Sequence, residues 1–171
     1  ILQECKFDPT YLIGGIVKNL NGHAKVGQGE FLVAEADESD GSFLLLSPVM
    51  SVITNIDNDH MDHYGTEENL FKAFVEFANK IPFYGTVALN AHDEKLMQLK
   101  HEMKRPSVTF GIEVDSDYCA KNLKLSPFNS TFDLYFKGER VETLEILLPG
   151  RHNILNALGA AALAHHLGIK F

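Results

Sequence analysis

Short apolar runs alternate with polar clusters along the chain, and the runs have the length of strands. Phe31 to Ala34 stops at Glu35-Ala36-Asp37-Glu38-Ser39-Asp40, and Val49 to Ile53 stops at Thr54-Asn55-Ile56-Asp57-Asn58-Asp59-His60-Met61-Asp62-His63-Tyr64-Gly65. Runs of this kind, bounded by turn residues, predict buried strands. Tyr11 to Ile13, closing at Gly14-Gly15, predicts another strand, and Thr86 to Asn90 and Ser107 to Gly111 predict two more. Helical patterns lie between them. Thr66 is placed to cap a helix from Glu67 to about Asn79, with acids in its first turn where the helix dipole favours them. Leu70, Phe71, Phe74, Phe77 and Ala78 share one face of it, the pattern of a helix packed on a sheet. A second helix near Asp93 to Met103 aligns Leu96, Leu99 and Met103. Ile1 to Lys6 reads as the tail of a helix broken at Asp8-Pro9, and Ser39 to Ser47 as a loop or short helix. Ile16 to Val26 is polar and poorly patterned. The order of strand, crossover and strand predicts an α/β fold with a mostly parallel, doubly wound sheet flanked by helices.

From Asp117 the grammar changes. Tyr118 to Leu125, Thr131 to Phe136 and Val141 to Leu148 are three strand patterns with no helix between them, the last two joined at Lys137-Gly138-Glu139. They predict a small antiparallel sheet over 117–148, beside a main part made of 1–116 and 149–171. After Pro149-Gly150, Asn153 is the expected cap of a final helix from Ile154 to Leu167, stopping at Gly168.

If both polar clusters follow parallel strands, both stand at the C-terminal sheet edge, where open α/β sheets bind ligands. Seven carboxylates (Glu35, Asp37, Glu38, Asp40, Asp57, Asp59, Asp62) then come potentially near one another, and they carry most of the net charge of −8. Two like charges at ~4 Å repel by roughly 4 kcal/mol at an effective dielectric of 20, so any that converge need a cation, a proton or solvent. A hard divalent cation such as magnesium fits oxygen ligands. Glu35, directly after a strand, is a candidate metal ligand or a solvated loop acid. His60 is a candidate ligand or a solvated loop histidine. Asp57, Asp59 and Asp62 are outer-sphere partners or turn formers. Asn153 and Asn156, three apart at a helix start, share a face that suits a purine or ribose, or else form a cap and a surface amide.

Composition narrows the classes. The 171 residues suit one domain, and 45% apolar residues suffice for a core. No basic tract runs beyond a residue or two, which argues against nucleic-acid backbone binding. No apolar run approaches ~18 residues and no signal peptide is visible, which argues against a membrane span or export. Cys5 and Cys119 lack metal-ligand spacing and read as buried free thiols in a reducing cytoplasm. Neither Gly14-Gly15 nor Gly27-Gln28-Gly29 has phosphate-loop spacing. The chain begins at Ile1 in mid-pattern, which suggests a piece of a longer protein.

Taken in order, four strings resemble the central ATPase domain of the Mur ligases. They are Glu35-Ala36-Asp37-Glu38-Ser39-Asp40, Thr54-Asn55-Ile56 through Asp59-His60-Met61-Asp62, Pro82-Phe83-Tyr84-Gly85, and Gly150-Arg151-His152-Asn153 with Asn156-Ala157. The resemblance covers almost the whole chain and implies a P-loop-NTPase-like fold in a bacterial cytoplasmic enzyme of peptidoglycan synthesis. Asp59 to Tyr64 fits the branch that joins L-alanine to UDP-N-acetylmuramate better than the sister branch that recycles murein tripeptide. The family further implies an N-terminal domain for the UDP-sugar, a phosphate loop ending just before Ile1, and a C-terminal domain beginning after about Phe171. By the same resemblance ATP and Mg2+ are required. Glu35 would hold one magnesium and His60 a second, and Asn153, Asn156 and His152 would contact the nucleotide. Several relatives complete the second site with a carbamylated lysine, where this sequence has Phe74-Val75-Glu76 and Lys72 does not align. Two rivals from other classes are a metal-dependent phosphohydrolase using Asp59, His60 and Asp62, and a non-catalytic nucleotide-binding domain.

Overall fold

A computed structural model describes residues 1–17 and 22–171, so part of the unpatterned stretch from Ile16 to Val26 lies outside the described residues. The chain divides into two compact units, Ile1–Phe43 and Leu44–Phe171.

The first unit is built on three strands, β1 (Thr10–Val17), β2 (Gly22–Lys25) and β3 (Leu32–Ala34), in the order β2-β1-β3. β1 is antiparallel to β2 and parallel to β3. The β3 run, expected to be buried, is not: Leu32 is 67% and Val33 42% exposed. Burial of a strand needs a covering layer, and the described residues of this unit supply no α-helix to lay on the sheet. Ile1 to Lys6 forms successive turns in place of a helix tail, with Cys5 N donating to Ile1 O at 3.0 Å and Phe7 N to Leu2 O at 3.0 Å. Left-handed backbone at Lys6 (φ 62°) and Asp8 (φ 41°) stops any helix there. The Asp8 carboxylate takes the Gln28 N–H at 2.9 Å and the Lys25 ammonium at 3.1 Å, contacts that lower its pKa. Cys5 is exposed, contrary to expectation, because it lies in these surface turns; Cys119 is buried, and both are free thiols.

The second unit holds a six-stranded mixed sheet in the order β4-β5-β6-β7-β8-β9. Its strands are β4 (Met50–Ile53), β5 (Thr86–Asn90), β6 (Ser107–Ile112), β7 (Tyr118–Leu125), β8 (Ser130–Phe136) and β9 (Glu139–Ile146). β4 to β7 run parallel, and β7, β8 and β9 are antiparallel. The antiparallel strands therefore continue the parallel sheet through β7. That junction is tight. β7 begins six residues after Ile112 yet pairs parallel to β6, where a crossover of a dozen or more is usual. Asp117 makes the return by accepting both the N–H and the hydroxyl of Thr109, at 2.8 and 3.0 Å, while its own N–H donates to the Thr109 hydroxyl at 3.0 Å.

Helices α1 (Met61–Tyr64), α2 (Glu67–Asn79), α3 (Glu94–Glu102) and α4 (Arg151–His166) complete the unit. Thr66 caps α2 as expected, its side chain accepting the Asn69 N–H. Lys72 forms a surface ion pair with Glu68, one turn back, at 2.6 Å. Alternate residues of a strand face opposite ways. Ala88, Phe110, Ile112, Ala120 and Leu134 on one sheet face pack against Ile154, Leu158 and Ala162 of α4. Val87 and Leu89, on the other face of β5, are fully buried on the side where α3 packs on β5 and α2 on α3. Helices on both faces make the sheet doubly wound, as the pattern predicted. No helix among the described residues is long and apolar enough to cross a membrane.

Two expectations follow. α4 sits so close that a Cβ on Gly159 would meet Val52 Cγ1 at 2.7 Å and the Phe110 ring at 3.4 Å. Gly159→Val should therefore lower stability by about 1–3 kcal/mol through overpacking, and an unchanged urea midpoint would refute the close approach. Burial pushes the Tyr118 phenol up to about 12, and the adjacent Asp117 carboxylate adds to the shift. A raised folded pKa gives stability that is fully present below the ordinary value of ~10 and is lost as pH rises through the folded value. Tyr118→Phe should thus lose less stability than wild type between pH ~10 and ~12, as read from paired unfolding midpoints.

Candidate functional site

In the second unit the candidate residues gather at the C-terminal edge of the sheet. After Ile53, the end of β4, the chain leaves the sheet through Thr54 to Asp59, a stretch without regular structure. Asn90, the last residue of β5, donates its amide Nδ2–H to Thr54 O at 3.0 Å, and Asp93 Oδ2 accepts the Ile56 N–H at 3.1 Å. The stretch delivers His60 at the start of α1. Its backbone is left-handed (φ 59°, ψ 30°), its carbonyl accepts the His63 N–H at 2.9 Å, and its side chain makes no cap. A non-glycine residue in this region costs on the order of 1–3 kcal/mol, and such strain collects at functional positions. The imidazole is exposed. Beyond it, buried Tyr64 closes the turn, with its carbonyl accepting the Asn69 amide at 2.8 Å.

The start of α4 stands at the same edge, since Arg151 Nη2 lies 3.7 Å from Glu113 Oε2, just past the end of β6. The helix begins at Arg151, with Gly150 (φ 101°) as its N-cap, so the cap expected at Asn153 is displaced. Gly150 turns the chain into the helix earlier than the asparagine pattern suggested, and Asn153 falls in the first turn, where its Nδ2–H donates to Pro149 O at 2.8 Å. Fully buried Ser130 fixes the turn: its hydroxyl donates to Leu148 O at 2.9 Å and accepts the Gly150 N–H at 3.2 Å. The His152 ring folds back on Gly150, where a Cβ would come within 2.9 Å of Cε1. His152 and Asn156 are exposed and Asn153 is half-buried. Their spacing places the three side chains around one side of a helix start, where unpaired N–H groups and the dipole favour an anion.

Glu35 belongs to the first unit, immediately after β3. Its backbone N–H extends the ladder to Leu12 O at 2.9 Å, and its carboxylate Oε2 accepts the Gly14 N–H at 2.6 Å. A Cβ on Gly14 would sit 3.0 Å from Oε2, so the missing side chain lets the carboxylate approach the strand. Glu35 is exposed, and Oε1 carries no hydrogen bond among the described residues. Other acids of the two clusters are engaged locally. Asp37 accepts the Ser39 backbone N–H at 2.8 Å and Asp40 the Ser42 backbone N–H at 2.9 Å, while Asp57 accepts the Asn55 side-chain amide at 2.6 Å. Among the described residues no three His, Cys, Asp or Glu side chains form a ready metal site. A single carboxylate oxygen still suits magnesium, which commonly takes one or two protein carboxylates and fills its sphere with water and phosphate oxygens.

Sequence reasoning missed Asn90, Asp93, Ser130 and Gly14. Asp93 had a local signal, an aspartate directly before a helical pattern. The long-range hydrogen bonds of all four had none.

The model of the Mur ligase middle domain family matches residues 17–164. Over 171 residues the chain is 45% identical to the UDP-N-acetylmuramate–L-alanine ligase of Syntrophotalea carbinolica, covering 100% of this chain and 37% of that protein. It is 46% identical to the ligase of the same name from Geobacter sp. strain M21, with the same coverage. Among solved structures, the UDP-N-acetylmuramate–alanine ligase of Thermotoga maritima superposes with a TM-score of 0.84 at 31% identity, over 98% of this chain and 37% of that one. The UDP-N-acetylmuramate:L-alanyl-gamma-D-glutamyl-meso-diaminopimelate ligase of Neisseria meningitides gives 0.85 at 25% identity, over 99% and 56%. The chain spans a little over a third of the length of these curated relatives. A family match along most of its length makes this chain a member of the Mur ligase family, as its middle domain.

Proposed function

We propose that this chain is the ATP-handling middle domain of a bacterial cytoplasmic ligase that joins L-alanine to UDP-N-acetylmuramate in peptidoglycan synthesis. Other parts of the same polypeptide would hold the UDP-sugar, supply the phosphate loop and help select the amino acid. The observation that carries this reading is discrimination by sequence where shape gives none. Two family members superpose equally well, with TM-scores of 0.84 and 0.85, yet the L-alanine ligase of the pair is 31% identical against 25% for the murein tripeptide ligase, and further L-alanine ligases reach 45–46% along the full chain.

In the reaction, the lactyl carboxylate of UDP-N-acetylmuramate takes the γ-phosphoryl group of ATP, leaving ADP. The alanine amine then attacks the acyl carbon; the C–N bond forms, the C–O bond to phosphate breaks, and phosphate leaves with the amine having lost its proton. The chain's task is to bring anions together and hold them. Glu35, with Oε2 fixed by the Gly14 N–H, presents Oε1 as a magnesium ligand. His60, fixed in the left-handed region, presents its imidazole for a second ion. Magnesium bound there would neutralise phosphate and carboxylate charge in the transition state. The amides of Asn153 and Asn156, with His152 beside them, are placed to hydrogen-bond the nucleotide at the start of α4.

The test is ADP release from the full-length protein with UDP-N-acetylmuramate and Mg2+, with and without L-alanine. Release that depends on L-alanine supports the ligase, whereas phosphate release without any amine acceptor would replace it with a hydrolase. In that protein Glu35→Ala and His60→Ala should each cut turnover by at least ~100-fold, because each removes charge stabilisation at the transferring phosphoryl group. Near-normal turnover in either variant would sink the corresponding assignment.

A further inference from the structure

We propose that Asp93 is a positioning residue for His60, an inference that rests on the metal-binding reading of His60 given above. Asp93 is the N-cap of α3, and Oδ1 accepts the Leu96 N–H at 2.8 Å. Capping needs one acceptor, which serine, threonine or asparagine supplies as well. Asp93 uses its second oxygen elsewhere: Oδ2 accepts the Ile56 N–H at 3.1 Å, from a segment 37 residues earlier in the chain. A single carboxylate thus fastens the start of α3 to the irregular stretch that carries His60.

The other ties of that stretch show why the second bond matters. Asn90 holds Thr54 O at 3.0 Å, the Ile56 side chain is buried at 3% exposure, and Asn58 bonds Glu67 and Lys95. Downstream, the buried Tyr64 ring and the Asn69–Tyr64 bond fix the far end of α1. A left-handed non-glycine residue persists only where its surroundings over-determine it. His60 lies four residues beyond Ile56, so the Asp93 bond sets the near side of its frame and Tyr64 the far side. Each Asp93 oxygen accepts a backbone N–H, so the carboxylate is engaged on both sides by the chain itself. Asp93 acts through the backbone of the stretch that carries His60.

Asp93→Asn separates the two bonds. The amide oxygen still caps α3, while the amide nitrogen cannot accept the Ile56 N–H. Asp93→Ser, also a capping residue with one oxygen, is the second variant. Both are made in the full-length protein. In the metal-free protein, hydrogen exchange at the Ile56 amide should rise about tenfold or more while the Leu96 amide keeps its protection. In turnover assays the Mg2+ concentration for half-maximal rate should rise roughly 3–10-fold, with the KM for L-alanine unchanged. Unchanged exchange at Ile56, or an unchanged Mg2+ dependence, in whichever of the two variants folds would overturn the proposal. His60→Ala in the same assay separates the two layers of inference. If it leaves the Mg2+ dependence normal, the metal-binding reading fails; if it disturbs that dependence and the Asp93 variants do not, only the positioning role fails.

Discussion

Everything in the larger unit depends on how closely α4 lies on the parallel strands. Ile154, Leu158 and Ala162 are fully buried against Ala88, Phe110 and Ala120, and Gly159 gives up its side chain so that Val52 and Phe110 can meet the helix backbone. That contact fixes the helix along the strand direction. One end, with Gly150 and Arg151, is held at the C-terminal edge by Ser130 and Glu113, and the other by the His166 contact to Tyr84 O at 3.1 Å, just before β5. A helix start with unpaired N–H groups is thereby delivered to the edge where β4 delivers His60.

The same edge combines rigid strand ends with backbone held under strain. His60 holds a left-handed conformation that non-glycine residues avoid, and Gly150 at φ 101° one that a side chain would disfavour. Both are held by side chains from neighbouring strands or helices, Asp93 and Asn90 on one side and Ser130 on the other. Glu35 shows the same device on a smaller scale, its carboxylate set by a single N–H of the adjacent strand. His60 is held through backbone atoms, which leaves its imidazole available, and Glu35 through one carboxylate oxygen, which leaves the other.

Much of the fold was legible from periodicity alone. The helix from Glu67 to Asn79 and the strands Thr86–Asn90 and Tyr118–Leu125 fall where the pattern placed them, because their apolar faces are long or bounded by clear turn residues. The burial of β3 was misjudged, since an apolar run states what a strand would bury and says nothing about whether a covering layer is present. The Asn153 cap was misjudged because Gly150, with no side chain to signal it, starts the helix first. For the site, Glu35, His60 and the asparagines stood out by composition at predicted element ends. The residues that hold the site together did not, because a hydrogen bond such as Asp93 to Ile56 joins positions with no local relation.

The turn between β6 and β7 also bears on how the unit assembles. With β7, β8 and β9 following one another through short links, and β7 laid back on β6 by the Asp117–Thr109 clasp, this half of the sheet is made almost wholly of contacts between near neighbours in sequence. Such contacts close small loops and form fast. β4 and α4 meet only across most of the unit's length, at Val52 and Gly159. Seating α4 on β4 therefore closes a loop of most of the unit, the kind of contact that costs the most chain entropy, and only that closure brings the start of α4 to the edge where β4 ends.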